Sequence, residues 1–218
     1  MESENRKLLT EGAKAFGVHL AEETLEGFDL YLKELAKWNQ KINLTAIRTE
    51  REIILKHFLD SLSVHPYLPK SSSLLDVGSG AGFPGIPLKL ADPTLEIILI
   101  DSVCKKVDFQ RHIIRRLRLK GIEAVHGRVQ EREILRKMEG RFDRVISRAF
   151  ADLHSFLQLS NPFLKKGGAA LAMKGDLKEE EIQSLTEEEE AGYRLQKTVT
   201  LDLPFTSLKR TILLFEKQ

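Results

Sequence analysis

An aspartate followed by three alternating glycines, Asp76-Val-Gly78-Ser-Gly80-Ala-Gly82, with Phe83-Pro84-Gly85 behind it, carries the most chemistry in this chain. Glycine has no Cβ, so a backbone built this way turns tightly and admits a ligand at close range. The apolar run before it, Leu74–Val77, has the pattern of a buried parallel strand. Pro84 and Pro87 suit the first turn of a short helix running to about Ala91. A strand, a glycine loop and a helix start make a nucleotide-cofactor site. The dinucleotide fingerprint fails when counted from Gly78, where Phe83 takes the sixth position, and fits poorly when counted from Gly80. The Gly-Lys-Ser/Thr ending of a phosphate-binding loop is absent. Asp76 would repel a pyrophosphate but suits a cofactor with a cationic end. S-adenosylmethionine has a sulfonium, an ammonium and no phosphate, so the electrostatics favour it over NAD. A second acid, Asp101, ends the next apolar run, Leu95–Asp101, where ribose hydroxyls are held in such folds.

The elements that must position these residues follow from periodicity. Residues 1–72 are expected to form an N-terminal helical extension. Glu4–Phe16 is a short helix closed by Gly17, and Glu22–Trp38 and Glu50–Val64 are amphipathic. Between the last two lies the amide-rich stretch from Trp38 to Thr45. It is a connector capped by Thr45 or Thr49, or else Asn39, Asn43, His57 and Asp60 face the active-site mouth and touch substrate. Residues 73–218 are expected to form the catalytic domain. Strands are predicted at Leu74–Val77, Glu96–Ile100, Glu123–His126, Phe142–Ser147 and Ala169–Met173. A closing antiparallel pair, Tyr193–Leu201 and Arg210–Phe215, follows. The expected fold class is α/β: a Rossmann-like, class I S-adenosylmethionine-dependent methyltransferase fold with a seven-stranded sheet.

Several polar groups fall at the carboxyl ends of these strands, where open α/β sheets bind ligands. Gly127–Gln130 is the expected adenine loop, Arg148 could pair with a ligand carboxylate or phosphate or else form a rim salt bridge, and Lys174-Gly175 ends the fifth strand. Lys105–Lys120 is an amphipathic helix with seven basic residues against one acid. Its outer face is either a solvated surface or a phosphate-contacting one through Arg115, Arg116 and Arg118. Asp176–Glu190, with eight acids against one lysine, is an expected solvated helix that keeps away from RNA.

Composition narrows the classes. The chain has 218 residues, 42% hydrophobic, enough for one α/β domain and an extension. No run approaches the ~20 apolar residues of a membrane helix, and the N-terminus lacks a signal-peptide core. The single cysteine, Cys104, excludes an internal disulfide and a multi-cysteine zinc site. A cytoplasmic monomer with no metal site is expected.

The segments Trp38-Asn39-x3-Asn43-Leu44-Thr45, His57-x2-Asp60-Ser61-Leu62, Asp76 to Leu88, Asp101-Ser102-x2-Lys105-Lys106, Ser147-Arg148-Ala149 and Met173-Lys174-Gly175 resemble the bacterial small-subunit rRNA guanine-N7 methyltransferases of the GidB (RsmG) type. The resemblance covers nearly the whole chain. It implies S-adenosylmethionine binding near Gly78 and Phe83, at Val129 and Gln130, and at Arg148. Its implied substrate is a loop guanosine of 16S rRNA, free or in the small ribosomal subunit. That family usually carries Gly-Arg-Ala-Glu-Glu where this chain has Gly127-Arg-Val-Gln-Glu131, so an amide stands at position 130 in place of a carboxylate.

Guanine N7 carries an unprotonated lone pair at neutral pH on the base's major-groove edge, so attack on a sulfonium methyl needs no proton removed first. The chain lacks an Asn/Asp-Pro-Pro-Tyr/Phe amino-methylation motif and a cysteine pair. In-line positioning without a general base is therefore expected, with no certain catalytic residue. Competing readings are a methyltransferase for a small molecule or protein, a nucleotide-dependent oxidoreductase, and a non-catalytic RNA-binding module.

Overall fold

A computed structural model describes residues 1–148, 150, 152–177 and 192–218. Two helices open the chain, α1 (Ser3–Lys14) and α2 (Glu22–Asn39). A third, α3 (Glu50–Ile53), runs without a break through a π-helical stretch, Ile54–Leu59, into α4 (Asp60–Leu62). Thr49 caps it: its Oγ1 accepts from the Glu52 N–H, and its hydroxyl donates to the Glu52 carboxylate at 2.9 Å. Then β1 (Ser73–Val77), α5 (Gly85–Ala91), β2 (Glu96–Asp101), α6 (Cys104–Arg116), β3 (Ile122–His126), α7 (Arg132–Met138), β4 (Phe142–Ser147), α8 (Leu153–Ser160), β5 (Leu164–Lys174), β6 (Tyr193–Asp202) and β7 (Lys209–Lys217) follow.

The strands form one sheet of seven in the order β3-β2-β1-β4-β5-β7-β6, parallel from β3 to β5 and closed by β7 antiparallel to both neighbours. The order reverses between β1 and β4. The loops leaving those strands diverge there and open a crevice at the carboxyl edge. This is the expected α/β architecture with its terminal hairpin. Three details differ from expectation. First, α6 stops at Arg116, because Arg118 turns to φ +52° and Gly121 to φ +66°. Second, β5 begins at Leu164. The expected strand starts only at Ala169; the Gly167-Gly168 pair is an irregularity within the longer strand, with Gly167 at φ +72° and a shifted register opposite Phe142 and Arg144. Third, α7 was not expected.

Two apolar layers cover the sheet. On one face, α5, α6 and the N-terminal helices share a continuous core, in which Phe28, Tyr31 and Phe58 pack with Leu99, Leu171 and Ile212. The helices of residues 1–72 thus bury their apolar stripes against the sheet side of the protein rather than against each other alone. On the other face, α7 and α8 cover Leu75, Val145, Leu213 and Phe215. Among the described residues, no helix is long and apolar enough to cross a membrane. Apart from Asp176 and Leu177, the expected acidic helix lies outside the described residues.

Candidate active site

The glycine loop after β1 uses the conformations its sequence allows. Gly78, Gly80 and Gly82 all have positive φ, at 71°, 60° and 97°, a region that costs L-residues with a Cβ. A Cβ on Gly82 would lie 2.4 Å from Ile86 Cδ1 and 3.0 Å from the Tyr31 hydroxyl, whereas one on Gly80 would meet nothing within 4 Å. The loop is thus packed from behind at Gly82 and open at Gly80. Two elements clamp it. The buried Tyr31 hydroxyl on α2 donates to the Ala81 carbonyl at 2.6 Å. The buried Gln110 amide on α6 donates to Ser79 Oγ at 2.8 Å and to the Gly80 carbonyl at 2.7 Å. Neither brace was found from sequence. Each sits on an amphipathic helix where a polar residue at a core position was the available signal.

A cleft of about 370 Å³ opens at the carboxyl ends of β1, β2 and β3. It is lined by Val77, Gly78, Ile100, Asp101, Ser102, the loop 127–130 and Phe150. Gly78, Asp101, Val129 and Gln130 meet here as expected. Ser102, Arg128 and Phe150 join them. Asp101 is nearly buried and preset: Oδ2 accepts from the Gly80 N–H and Oδ1 from the Val103 N–H, both at 2.9 Å. Each oxygen keeps a further lone pair for a ligand hydroxyl. Asp76 does not line the cleft. It lies fully buried beneath the loop, where Oδ2 accepts from the Gly85 N–H at 2.9 Å and Oδ1 has no partner among the described residues. Burial pushes its pKa up to about 7.

Phe83 is not a wall of this cleft either. Its ring stacks on His57 at 4.4 Å and on Tyr31 at 5.4 Å, with the Arg148 guanidinium 5.5 Å over its face. Around it lies a polar joint between the N-terminal helices and the sheet. Arg148 donates to Asp60 Oδ2 at 3.0 Å and to His57 Nδ1 at 3.2 Å, and Arg210 Nε donates to Asp60 Oδ1 at 2.6 Å. His57 Nε2 lies 2.8 Å from Thr45 Oγ1. Burial, with the Arg148 charge beside it, lowers the His57 pKa to about 3, so the ring is neutral. His57 and Asp60 reach the same partner because they sit three residues apart in and just after the π-helical stretch, a type of irregularity that redirects side chains and is frequent at functional sites.

Other expected substrate residues are placed differently. Asn39 is not at the mouth. Its amide donates to the Thr45 carbonyl at 2.8 Å, and its Oδ1 accepts from the Leu44 and Thr45 N–H groups at 2.8 and 3.0 Å. The side chain is spent folding the connector, as an Asx-type residue does. Asn43 is exposed. Lys174, at the end of β5, donates to the Phe150 carbonyl. Arg115 and Arg116 lie at the end of α6 far from the cleft, and Arg118 just beyond it. The helix starts beside the cleft after β2 and runs back along the sheet, so its last turn is about 18 Å away, at a rise of about 1.5 Å per residue. Arg116 there faces Glu34 at 3.6 Å.

The profile of the GidB family, described as rRNA small subunit methyltransferase G, matches residues 24–211. The chain is 43% identical to the Ribosomal RNA small subunit methyltransferase G of Acetivibrio thermocellus over 213 residues, 97% of this chain and 88% of that one. It is 41% identical to the protein of that name from Geobacter metallireducens, covering 100% of this chain and 99% of the relative. Among solved structures, M. jannaschii TYW2 in complex with AdoMet aligns with a TM-score of 0.60 at 17% identity, over 82% of this chain and 80% of that one. The Burkholderia thailandensis 1,6-didemethyltoxoflavin-N1-methyltransferase with bound S-adenosylhomocysteine aligns with a TM-score of 0.56 at 16% identity, over 73% and 76%. At those identities the structural likeness speaks for the fold.

Proposed function

The chain belongs to the GidB family, rRNA small subunit methyltransferase G, and on that premise we propose that it methylates N7 of a loop guanosine in 16S rRNA with S-adenosylmethionine. The residues present fit that cofactor. Asp101 stands at the end of β2 with lone pairs free for ribose hydroxyls, and the loop 127–130 walls the cleft beside it. Gly80 leaves the loop open, and the buried Asp76 carboxyl lies behind it, with Oδ1 unpartnered among the described residues. The cofactor supplies an electrophilic methyl group on a cationic sulfur.

The observation that carries the N7 reading is that His57, Asp60 and Asp101, the titratable groups at the carboxyl edge, already have partners, while Asp76 lies sealed beneath the loop. Asp60 is held by two arginines, and both nitrogens of the neutral His57 are engaged. Asp101 accepts two backbone N–H groups. Such a rim suits a nucleophile that arrives unprotonated. The work left to the protein is to exclude water and align the two reactants, worth several kcal/mol of the barrier (roughly 7–11 in favourable cases). The A-form major groove is too deep and narrow to expose N7 to side chains, which favours an unstacked loop base.

Mass mapping of nuclease digests of 16S rRNA, from cells with and without the protein, tests the site of modification. One N7-methylguanosine, present only with the protein, is the expected outcome. At saturating cofactor and RNA, kcat is expected to stay flat between about pH 6 and about pH 9. A steep rise following one titrating group would sink the base-free mechanism.

A further inference from the structure

The β6–β7 hairpin carries a feature that the methyl-transfer site does not use. β6 runs parallel to β5, so residues 203–208 turn at the carboxyl edge of the sheet, the same edge as the cleft. At the tip stands Phe205, 55% exposed and at φ +62°, with Leu208 exposed beside it. Positive φ is a strained conformation for a bulky side chain. Water around an exposed phenyl ring gains nothing from it.

The turn is nonetheless firmly built. The Leu203 N–H donates to the Leu208 carbonyl at 2.8 Å, the Thr206 hydroxyl donates to the Leu203 carbonyl at 2.9 Å, and the Leu208 N–H donates to Thr206 Oγ1 at 3.0 Å. Leu203 anchors it, almost fully buried. The ring is therefore held out by a rigid support. Immediately after it come two cations, Lys209 and Arg210. Arg210 is pinned through Nε to Asp60, and its two terminal nitrogens have no partner among the described residues. Asp60 also holds Arg148 at the end of β4, so hairpin base and active edge are one hydrogen-bonded unit. At about 4.8 Å per strand, β7 stands about 10–15 Å from the β1–β4 switch point. The only acid in the hairpin's last pair is Asp202, in register with Lys209.

We infer that this hairpin is an RNA-stacking finger: Phe205 stacks on an unpaired base near the target guanosine, and the free fork of Arg210 takes a neighbouring phosphate. The chemistry matches single-stranded nucleic acid, which offers a π-face and an anion at each nucleotide. This inference rests on the rRNA reading given above.

The test measures methylation of small ribosomal subunits taken from cells that lack the enzyme. Phe205→Ala is expected to raise KM for the subunits about tenfold or more, the range of a lost base–aromatic stack, with kcat and KM for the cofactor unchanged. Phe205→Leu keeps an apolar side chain without a π-face and should behave like Phe205→Ala, whereas Phe205→Trp should stay near wild type. Phe205→Gly should show the same defect while raising Tm by about 2–4 °C, because the strained φ is relieved. A photocrosslinker installed as Phe205→p-benzoylphenylalanine should label rRNA. An unchanged KM in Phe205→Ala, wild-type behaviour of Phe205→Leu, or crosslinks confined to a ribosomal protein would overturn the inference. If the wild-type protein methylates no RNA, the rRNA reading itself fails, and the wild-type control shows that separately.

Discussion

Asp76 takes its carboxyl group out of water altogether, with one backbone N–H as its only hydrogen-bond partner among the described residues. Burial is the main cause of its rise from 3.8 to about 7, partly offset by the Gly85 N–H and the charge of Arg148. The folded protein thus favours the protonated acid more than the unfolded chain does. The stability this contributes is complete below about pH 4 and is lost as the pH rises through about 7. Asp76→Asn abolishes the titration. Its urea midpoint relative to wild type should therefore climb between about pH 5 and about pH 8, by the equivalent of roughly 2–4 kcal/mol. A constant difference across that range would show that Asp76 is not desolvated as described. His57 works in the opposite direction. Its depressed pKa means that the stability it contributes is present above about 6.5 and is lost as the pH falls toward about 3.

Asp60 is the element-scale counterpart. It ties the helix that follows the connector to the carboxyl ends of the sheet, through Arg148 at β4 and Arg210 at β7. Removing one member of such a buried set leaves charges without compensation. Asp60→Ala is expected to cost roughly 3–5 kcal/mol in chemical denaturation. A loss below about 1 kcal/mol, the value of an exposed pair, would show that the joint is a surface ornament. The periodic elements here were legible in sequence: α2 and β4 fall where their apolar spacing puts them. The π-helical stretch was not, because its 3- and 4-residue pattern matches an ordinary α-helix and only the hydrogen bonds differ. The seven-residue α7 was also missed, since its apolar signal is confined to Ile134, Leu135 and Met138 among charged neighbours.

For the whole molecule, charge must be judged by where the fold sets it. The basic face of α6 was open to two readings, a solvated surface or an RNA grip, and a helix that follows a parallel strand runs back toward the opposite edge of the sheet. Arg115, Arg116 and Arg118 therefore end about 18 Å from the cleft. Replacing all three by Ala should leave kcat/KM for small subunits within about twofold of wild type, since only contacts near the carboxyl edge are placed to hold the target loop. A tenfold loss, with normal stability, would mean that the RNA wraps to the far edge. On the stacking-finger proposal, the cations that meet RNA are Lys209 and Arg210 at the hairpin, which sequence alone gave no reason to prefer.

What the sequence by itself determined is local: the strand-to-glycine bend, the acid closing β2, the alternation of the terminal hairpin, and the family to which these motifs belong. Those signals survive in one dimension because backbone conformation and apolar period depend on near neighbours. Only the tertiary structure decided which polar side chains are free to act. Asn39 is consumed by a carbonyl six residues away, Asp76 is sealed beneath the loop, and Asp60 meets Arg210 across 150 residues. A side chain's hydrogen-bond partners and its exposure to water are set by the packing of distant segments, and no spacing rule in the chain encodes that.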